Sequence, residues 1–313
     1  MTRTLVRRLI VWVLPWCFAA PAFAQQTHIL VVTGVPGDAE HAKKFDGWAK
    51  TFMDAAKTRD AVPDSHIIYL ADRQATKAAV EKSFADLAAQ AKATDTVIVL
   101  LIGHGSFDGS VAAFNLPGPD LTAPDYARLL SKLNAARVVF VNTASSSGAF
   151  LPTVAAPGRI IITATKTGGE RNETVFGEYF TAAFGDDAAD RDRNGHVSIE
   201  EAFEYARTKV TQDYQQKRLI LTEHAVLDDG GDGKLAAAVF LGTGRAEAGL
   251  NVDLSDPAMK ALVDQREAIQ KQIEALQLRK PSMNAADYDA QMERLLTDLA
   301  LKTKAIRDLQ AKK

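Results

Sequence analysis

The chain has 313 residues, of which 37 are lysine or arginine and 39 are aspartate or glutamate, so its formal net charge at pH 7 is −2. This balance leaves no excess of positive charge to attract nucleic acid or an anionic membrane. The single cysteine, Cys17, excludes an internal disulfide and a zinc site with several cysteine ligands. The length and the 47% of hydrophobic residues are sufficient for one large core with a smaller appended unit.

Residues 1–24 have the features of an export signal. Three arginines precede an apolar run, and Ala22, Phe23 and Ala24 form a small-x-small cleavage site. The run is too short for a membrane span, which makes an uncleaved anchor the less favoured alternative. We therefore expect a periplasmic or extracellular protein with no stable membrane insertion after cleavage. Removal of three arginines and no acidic residue would leave 34 basic and 39 acidic residues, a net charge of −5, and no thiol.

Between residues 28 and 240, short apolar segments alternate with amphipathic ones. Strands are predicted at 28–32, 66–70, 96–102, 137–141 and 159–163, and helices at 39–57, 76–93, 124–133, 175–184 and 199–215. Such alternation predicts an α/β fold over residues 25–241, with a doubly wound, mostly parallel sheet and helices on both of its faces.

Two of the predicted strands end in residues that can support chemistry. The strand 96–102 is followed by Gly103, His104 and Gly105, and the strand 137–141 is followed by a hydroxyl run that includes Ser145. Ligands of such sheets bind beyond the carboxyl ends of the strands, so these residues should line one site. The alternative is structural, since Gly-His-Gly is also typical of a tight turn and small residues allow close packing.

The two motifs, in this order, resemble those of the legumain and caspase peptidases (clan CD), most closely the legumain-like bacterial members. Ile102-Gly103-His104-Gly105-Ser106 matches the histidine motif, and Ala144-Ser145-Ser146-Ser147-Gly148 matches the nucleophile motif. The resemblance covers roughly residues 27–241. It implies a caspase-like fold with His104, Gly105 and Ser145 at the catalytic positions.

The nucleophile position departs from the family, because Ser145 stands where these peptidases have cysteine. A serine hydroxyl needs a base in hydrogen-bond contact and an orienting group, since its pKa lies far above the ~8.5 of a thiol. No carboxylate is marked by the sequence as that orienting group. We expect a peptidase-like protein without cysteine-peptidase activity that binds a peptide or protein. The alternative is a serine hydrolase in which Ser145 attacks, His104 is the base and amides near Gly105 stabilise the oxyanion.

The resemblance also implies a pocket for a substrate side chain. The loop after the first strand, which contains Gly34, shapes this pocket in legumain-like enzymes, and the loop after residues 159–163, which contains Thr165 and Glu170, forms another wall. Ser147 would line the same site. From the residues alone, the loop at Gly34 is more typical of a tight turn, and the loop at Glu170 is equally typical of a solvated helix cap. No Gly-Lys-Ser/Thr follows Gly34, which excludes a phosphate-binding P-loop.

The segment 190–201, DRDRNGHVSIEE, matches the calcium-binding loop of an EF-hand. Gly195 stands at position six, where the loop turns sharply, and apolar Ile199 stands at position ten. The predicted calcium ligands are Asp190, Asp192, Asn194, the carbonyl of His196, Ser198 and the bidentate Glu201. A solvated acidic turn is the alternative. A partial second loop begins at Asp228, and Asp228 and Asp232 have a weak claim to a second ion.

Residues 242–257 are rich in Gly, Ala and Asp and are predicted to form a linker. Residues 258–313 carry apolar residues at helical spacing, interrupted at Pro281, which predicts a helical hairpin. Each helix has a single apolar stripe, so it must pack on its partner helix, on the α/β domain or on another subunit. The hairpin is therefore expected to bind a protein partner or a second copy of the chain, and a calcium-dependent adaptor working through it is a third functional hypothesis.

Overall fold

The computed structural model describes residues 25–231, 234–242, 256–279 and 283–310. The predicted signal and residues 243–255 of the predicted linker lie outside them. Strands in the described residues are β1 (Thr27–Thr33), β2 (Ile67–Leu70), β3 (Thr96–Ile102), β4 (Gly105–Phe107), β5 (Ala112–Phe114), β6 (Leu121–Thr122), β7 (Arg137–Asn142), β8 (Arg159–Thr163) and β9 (Val226–Asp228). Helices are α1 (Ala39–Thr58), α2 (Lys77–Gln90), α3 (Ala123–Leu130), α4 (Leu151–Val154), α5 (Phe176–Ala183), α6 (Ile199–Gln216), α7 (Lys234–Ala237), α8 (Pro257–Arg279) and α9 (Ala285–Gln310).

The central sheet has the strand order β2-β1-β3-β7-β8-β9. The first five strands of this order are parallel, and β9 runs antiparallel to β8 at the edge. The prediction of a doubly wound, mostly parallel α/β fold with a C-terminal pair of helices is confirmed. Among the described residues, no helix combines the length and the hydrophobicity that a membrane span requires.

Both faces of the sheet are buried, because alternate residues of the apolar strands point to opposite sides. One face carries Ile29, Ile98 and Val139 and packs against α1, α5 and α6. The opposite face carries Leu30, Val99 and Phe140 and packs against α2, α3 and α4. Helices on both faces are the reason the strands are continuously apolar rather than alternating.

Several short elements of the fold were not predicted from the sequence, among them four strands. The edge strand β9 has only three residues and is followed by Asp229-Gly230-Gly231, which is typical of a turn. The strands β4, β5 and β6 form a small antiparallel sheet directly after β3. Their two or three residues each are too few to produce a period in the sequence.

The helices α8 and α9 pack against each other through buried apolar residues that include Ile273, Leu299 and Ile306. Arg266 of α8 is only 8% exposed, and its guanidinium donates to Thr303 Oγ1 at 3.1 Å and to the Asn194 carbonyl at 3.2 Å. The hairpin therefore contacts the α/β domain at the predicted calcium-binding loop.

Candidate functional site at the sheet edge

The strand order places a topological switch point between β1 and β3. The chain leaves β1 toward β2 on one side and returns to β3 on the other. We call the region at the carboxyl ends of β1 and β3 the crevice, because the loops at such a switch point usually diverge to form one. Gly34 follows β1, and its N–H donates to the carbonyl of Ile102 at the end of β3 at 2.9 Å. His104 follows β3, so the predicted site residues Gly34 and His104 flank this crevice.

The His104 ring is half-buried and held by three neighbours. Its Nε2 lies 3.2 Å from the carbonyl oxygen of Pro36. Because a carbonyl only accepts, this hydrogen bond requires a proton on Nε2 and leaves Nδ1 unprotonated in the neutral ring. The ring also packs edge-on against Phe45 and His41, with centroid distances of 5.3 Å and 5.2 Å. The orienting group of His104 is thus a backbone carbonyl, and the described residues place no carboxylate in hydrogen-bond contact with its ring.

Ser145 lies beside this histidine but hydrogen-bonds to Gly105, the residue that follows His104. Its hydroxyl donates to the Gly105 carbonyl at 3.1 Å and lies 3.4 Å from the Gly105 N–H. No hydrogen bond joins Ser145 to the His104 ring within the described residues. Ser145 is buried, with 8% of its surface exposed. In this arrangement the Ser145 hydroxyl lacks the contact with a base that would activate it.

Ser146 turns the chain sharply after Ser145. Its φ of 58° is in the left-handed region, which is costly for a residue other than glycine. Its N–H donates to the Glu170 carbonyl at 2.8 Å, while its buried hydroxyl has no hydrogen-bond partner among the described residues. A strained backbone and an unpaired buried hydroxyl at one residue are a local cost to stability, and such costs concentrate at functional sites.

Ser147 and Thr165 connect the loop after β7 to the loop after β8. Their hydroxyl oxygens are 3.3 Å apart, the Thr165 N–H donates to Ser147 Oγ at 3.2 Å, and the Gly148 N–H donates to Thr165 Oγ1 at 2.8 Å. Both side chains are fully buried. They therefore hold the loop of Ser145 in place and do not face the crevice in this conformation.

Glu170 is also engaged within the chain. Its carboxylate accepts the backbone N–H of Lys166 and of His224, each at 3.0 Å, and Oε1 lies 2.9 Å from His224 Nδ1. These bonds fasten the loop after β8 to the segment that leads into β9. Because both carboxylate oxygens accept these hydrogen bonds, Glu170 can bind a ligand only if its contact with His224 is broken.

The sequence did not single out a cluster of charged residues next to His104. His41, in the first turn of α1, has Nδ1 2.8 Å from Asp38 Oδ2 and Nε2 3.3 Å from Glu173 Oε2. Lys44 also pairs with Glu173. The hydrogen bonds to Asp38 and Glu173 raise the pKa of His41 above its usual range. No short motif contains these residues, because they come from α1 and from a loop more than a hundred positions away.

The calcium-type loop

Three of the four acidic side chains of the loop 190–201 converge. Oxygen atoms of Asp190, Asp192 and Glu201 all lie within 4.8 Å of one another. Burial, followed by the neighbouring charges of Asp192 and Glu201, raises the pKa of Asp190 to about 6. Burial, followed by the charge of Asp192, also raises the pKa of Glu201. A group of carboxylates that hinder one another's ionisation in this way favours a bound cation.

The backbone of the loop has the turns that the motif requires. Gly195 has a φ of 94°, and the N–H of Asn194 donates to Asp190 Oδ1 and to Asp192 Oδ1 at 3.0 Å each. Glu201 forms a capping box with Ser198 at the start of α6, with 2.9 Å between Ser198 Oγ and Glu201 Oε2. The side chain of His196 points to Asp60, at 3.3 Å, which is consistent with its backbone carbonyl being the predicted ligand.

The partial loop at Asp228 has a different arrangement. Asp228 Oδ1 accepts the Gly230 N–H at 2.9 Å, and Asp229 Oδ2 accepts N–H groups at the start of α7. Asp232 lies outside the described residues. The contacts of Asp228 and Asp229 are those of a turn and a helix cap.

Comparison with known proteins assigns no family to this chain. No protein-family model matches the sequence, and no curated protein matches it. A solved structure similar to this chain is that of protein GSU0716 from Geobacter sulfurreducens, with a TM-score of 0.43 and 14% sequence identity. The match covers 67% of this chain and 96% of that one.

Proposed function

We propose that this protein is an exported homologue of the legumain and caspase peptidases that lacks cysteine-peptidase activity and binds a peptide or protein segment in the crevice beside His104 and Ser145. The motif order, the placement of both motifs at carboxyl ends of neighbouring parallel strands, and the switch point at His104 support this proposal.

One observation supports the proposed lack of peptidase activity. The Ser145 hydroxyl donates to the Gly105 carbonyl, whereas the His104 ring bonds to the Pro36 carbonyl. A hydroxyl without a base cannot lose its proton at neutral pH, and the chain offers no thiolate at this position. The crevice is left with backbone groups and an imidazole, which suit the binding of an extended peptide better than its cleavage.

A fluorogenic peptide library and a fluorophosphonate probe, which labels active serines, test this proposal together. We expect neither cleavage nor labelling of the natural protein, and Ser145→Cys should gain weak cleavage, because a thiolate needs no base in contact. Cleavage by the natural protein that disappears in Ser145→Ala would instead establish the serine-hydrolase alternative.

Binding is tested on the same library as an immobilised array. Val35→Trp places a bulky ring in the loop beside the crevice and should abolish binding, whereas Ala85→Trp, on the exposed face of α2, should leave it unchanged. An array that binds neither the natural protein nor Ser145→Ala would contradict the proposed binding role.

We further propose that Asp190, Asp192, Asn194, Ser198, Glu201 and the carbonyl of His196 bind calcium. The loop spacing and the convergence of its carboxylates support this assignment. The ion would stabilise the start of α6 and the loop that Arg266 contacts. Its role here is structural, since the loop is separate from the strand ends that carry His104 and Ser145.

The hairpin of α8 and α9 is proposed as the element that binds a protein partner or a second copy of the chain. Both core clusters of the α/β domain are complete without it, and Leu301 of α9 is 59% exposed. A chain truncated after Gly249 should remain folded and should lose self-association or partner binding, measured by circular dichroism and by sedimentation. Unfolding of the truncated chain would show that the hairpin belongs to the core.

A further inference from the structure

The ring of His41 is held by hydrogen bonds at both of its nitrogens, although it is partly exposed at the surface. It lies three residues after Asp38, the N-cap of α1, and Asp38 bonds both the His41 backbone N–H and its Nδ1, at 2.8 Å each. The other ring nitrogen faces Glu173 at 3.3 Å. Both nitrogens of a ring that is 24% exposed are thus occupied by carboxylates, which fixes the plane of the ring.

This fixed ring is one wall of the space that holds His104. His41 and Phe45 are one helical turn apart on α1, and their ring centroids lie 5.2 Å and 5.3 Å from that of His104. Among the described residues, the His104 ring has one hydrogen bond, to the Pro36 carbonyl, and this bond alone would let the imidazole tilt about it. The two edge-on rings remove this freedom.

We propose that His41 is a positioning residue for His104: clamped by Asp38 and Glu173, its ring holds the imidazole of His104 in its orientation beside Ser145. The inference rests on the site described under the proposed function, and it adds a residue that no motif includes. The charged groups near His41 are Asp38 of the N-cap, Glu173 of the loop before α5, and Lys44 of α1 through Glu173. The ring of His104 packs against it edge-on.

A cysteine placed at position 145 measures the effect of His104 without any knowledge of the ligand. In a Cys17→Ser, Ser145→Cys chain the new thiol is the only one, and its rate of alkylation by iodoacetamide reports the thiolate fraction at each pH. A cysteine held beside a histidine ionises more readily than an ordinary thiol, so the parent pH profile should lie below that of an ordinary thiol.

The variants of His41 separate contact from charge. In His41→Gln, the ring is lost and His104 can tilt away, so alkylation at about pH 6.5 should fall about tenfold, while alkylation at about pH 9.5, where every thiol is ionised, should not change. In His41→Phe, a ring of similar shape remains and most of the parent rate should be retained. Lys43→Gln is the matched control, because Lys43 lies on the exposed side of α1, two residues from His41.

The outcomes distinguish this inference from the proposed site. A parent profile equal to that of an ordinary thiol would overturn the site itself. A shifted parent profile that is unchanged in His41→Gln would overturn only the role of His41. Equal losses in the Gln and Phe variants would show that charge, not contact, is responsible and would also overturn the proposal. Melting curves and the rate at high pH verify that each variant is folded.

Discussion

Calcium in a hundredfold excess over its dissociation constant should raise the free energy of unfolding by about 2.7 kcal/mol, because an ion that binds only the folded chain stabilises it by mass action. The glycine and the N-cap of the loop are in place. The Glu201 carboxylate accepts the N–H groups of Arg191 and Ser198 and must exchange part of this contact for the ion. Thermal unfolding followed by circular dichroism, with calcium and then with chelator, measures the effect.

Glu201→Gln should remove most of this stabilisation. A glutamine at this position still completes the capping box with Ser198, so the variant loses a charged ligand without losing the helix cap. Glu200→Gln is the control, since Glu200 also lies in the first turn of α6 but is not one of the three converging carboxylates. Coincident melting curves with calcium and with chelator in the natural protein would refute the calcium assignment.

The pH dependence of this effect has a definite sign. Because the pKa of Asp190 is raised to about 6, the folded chain binds a proton more tightly than the unfolded chain does. In the absence of an ion, this group therefore makes the protein less stable as the pH rises from about 4 through about 6. Calcium replaces that proton, so its stabilising effect should be larger at about pH 7.5 than at about pH 5.

Gly148→Ala should destabilise the fold by about 3 kcal/mol, at the upper end of what overpacking costs. A Cβ at this position would overlap the backbone of Lys166 and lie 2.5 Å from the Thr165 carbonyl oxygen. The obstacle is backbone on the neighbouring loop, which has no flexible end that can move aside. The change would push the loop of Ser145 away from the loop after β8, so urea unfolding and the Ser145→Cys alkylation profile should both change.

Gly47→Ala is the matched substitution with the opposite expected sign. Gly47 lies on the exposed side of α1, and a Cβ there meets no atom within 4 Å. Alanine in a helix interior is more stable than glycine by roughly 0.5 to 1 kcal/mol. If both alanine variants lost stability to the same extent, the close approach at Gly148 would not be the cause of its effect.

The fold was largely predictable because strands that are buried on both faces of a parallel sheet must be apolar along their whole length, and such runs are easily recognised in the sequence. The strands 96–102 and 159–163 have the bounds that the pattern predicts, and the helices differ from prediction mainly in their last turns. The strand β9 was missed because three residues beside an acidic, glycine-rich turn carry no pattern of their own.

The site was predictable only in part. A strand end marks His104 and Ser145 as neighbours, but the group that orients His104 is the carbonyl of Pro36, and every residue has a carbonyl. Ser147 and Thr165 have the hydroxyls of ligand-binding residues, yet they bond to each other. Which partner a hydroxyl selects depends on distances across the sheet edge, which no local pattern encodes. The contact between His41 and His104 could not be predicted for the same reason, because it joins α1 to the end of β3.

The strand order also determines how this protein can fold. β1 pairs with β3, so the pairing of Thr27 with Thr96 closes a loop that contains α1, β2 and α2. β8 pairs with β9, and the pairing of Thr163 with Val226 closes a second long loop. Sheets built from such distant pairings fold slowly, because loop closure must precede the contacts that reward it. The loop that carries Glu170 is fastened to His224, just before β9, so a nascent chain lacks the observed arrangement of this sheet edge until the last strand has joined.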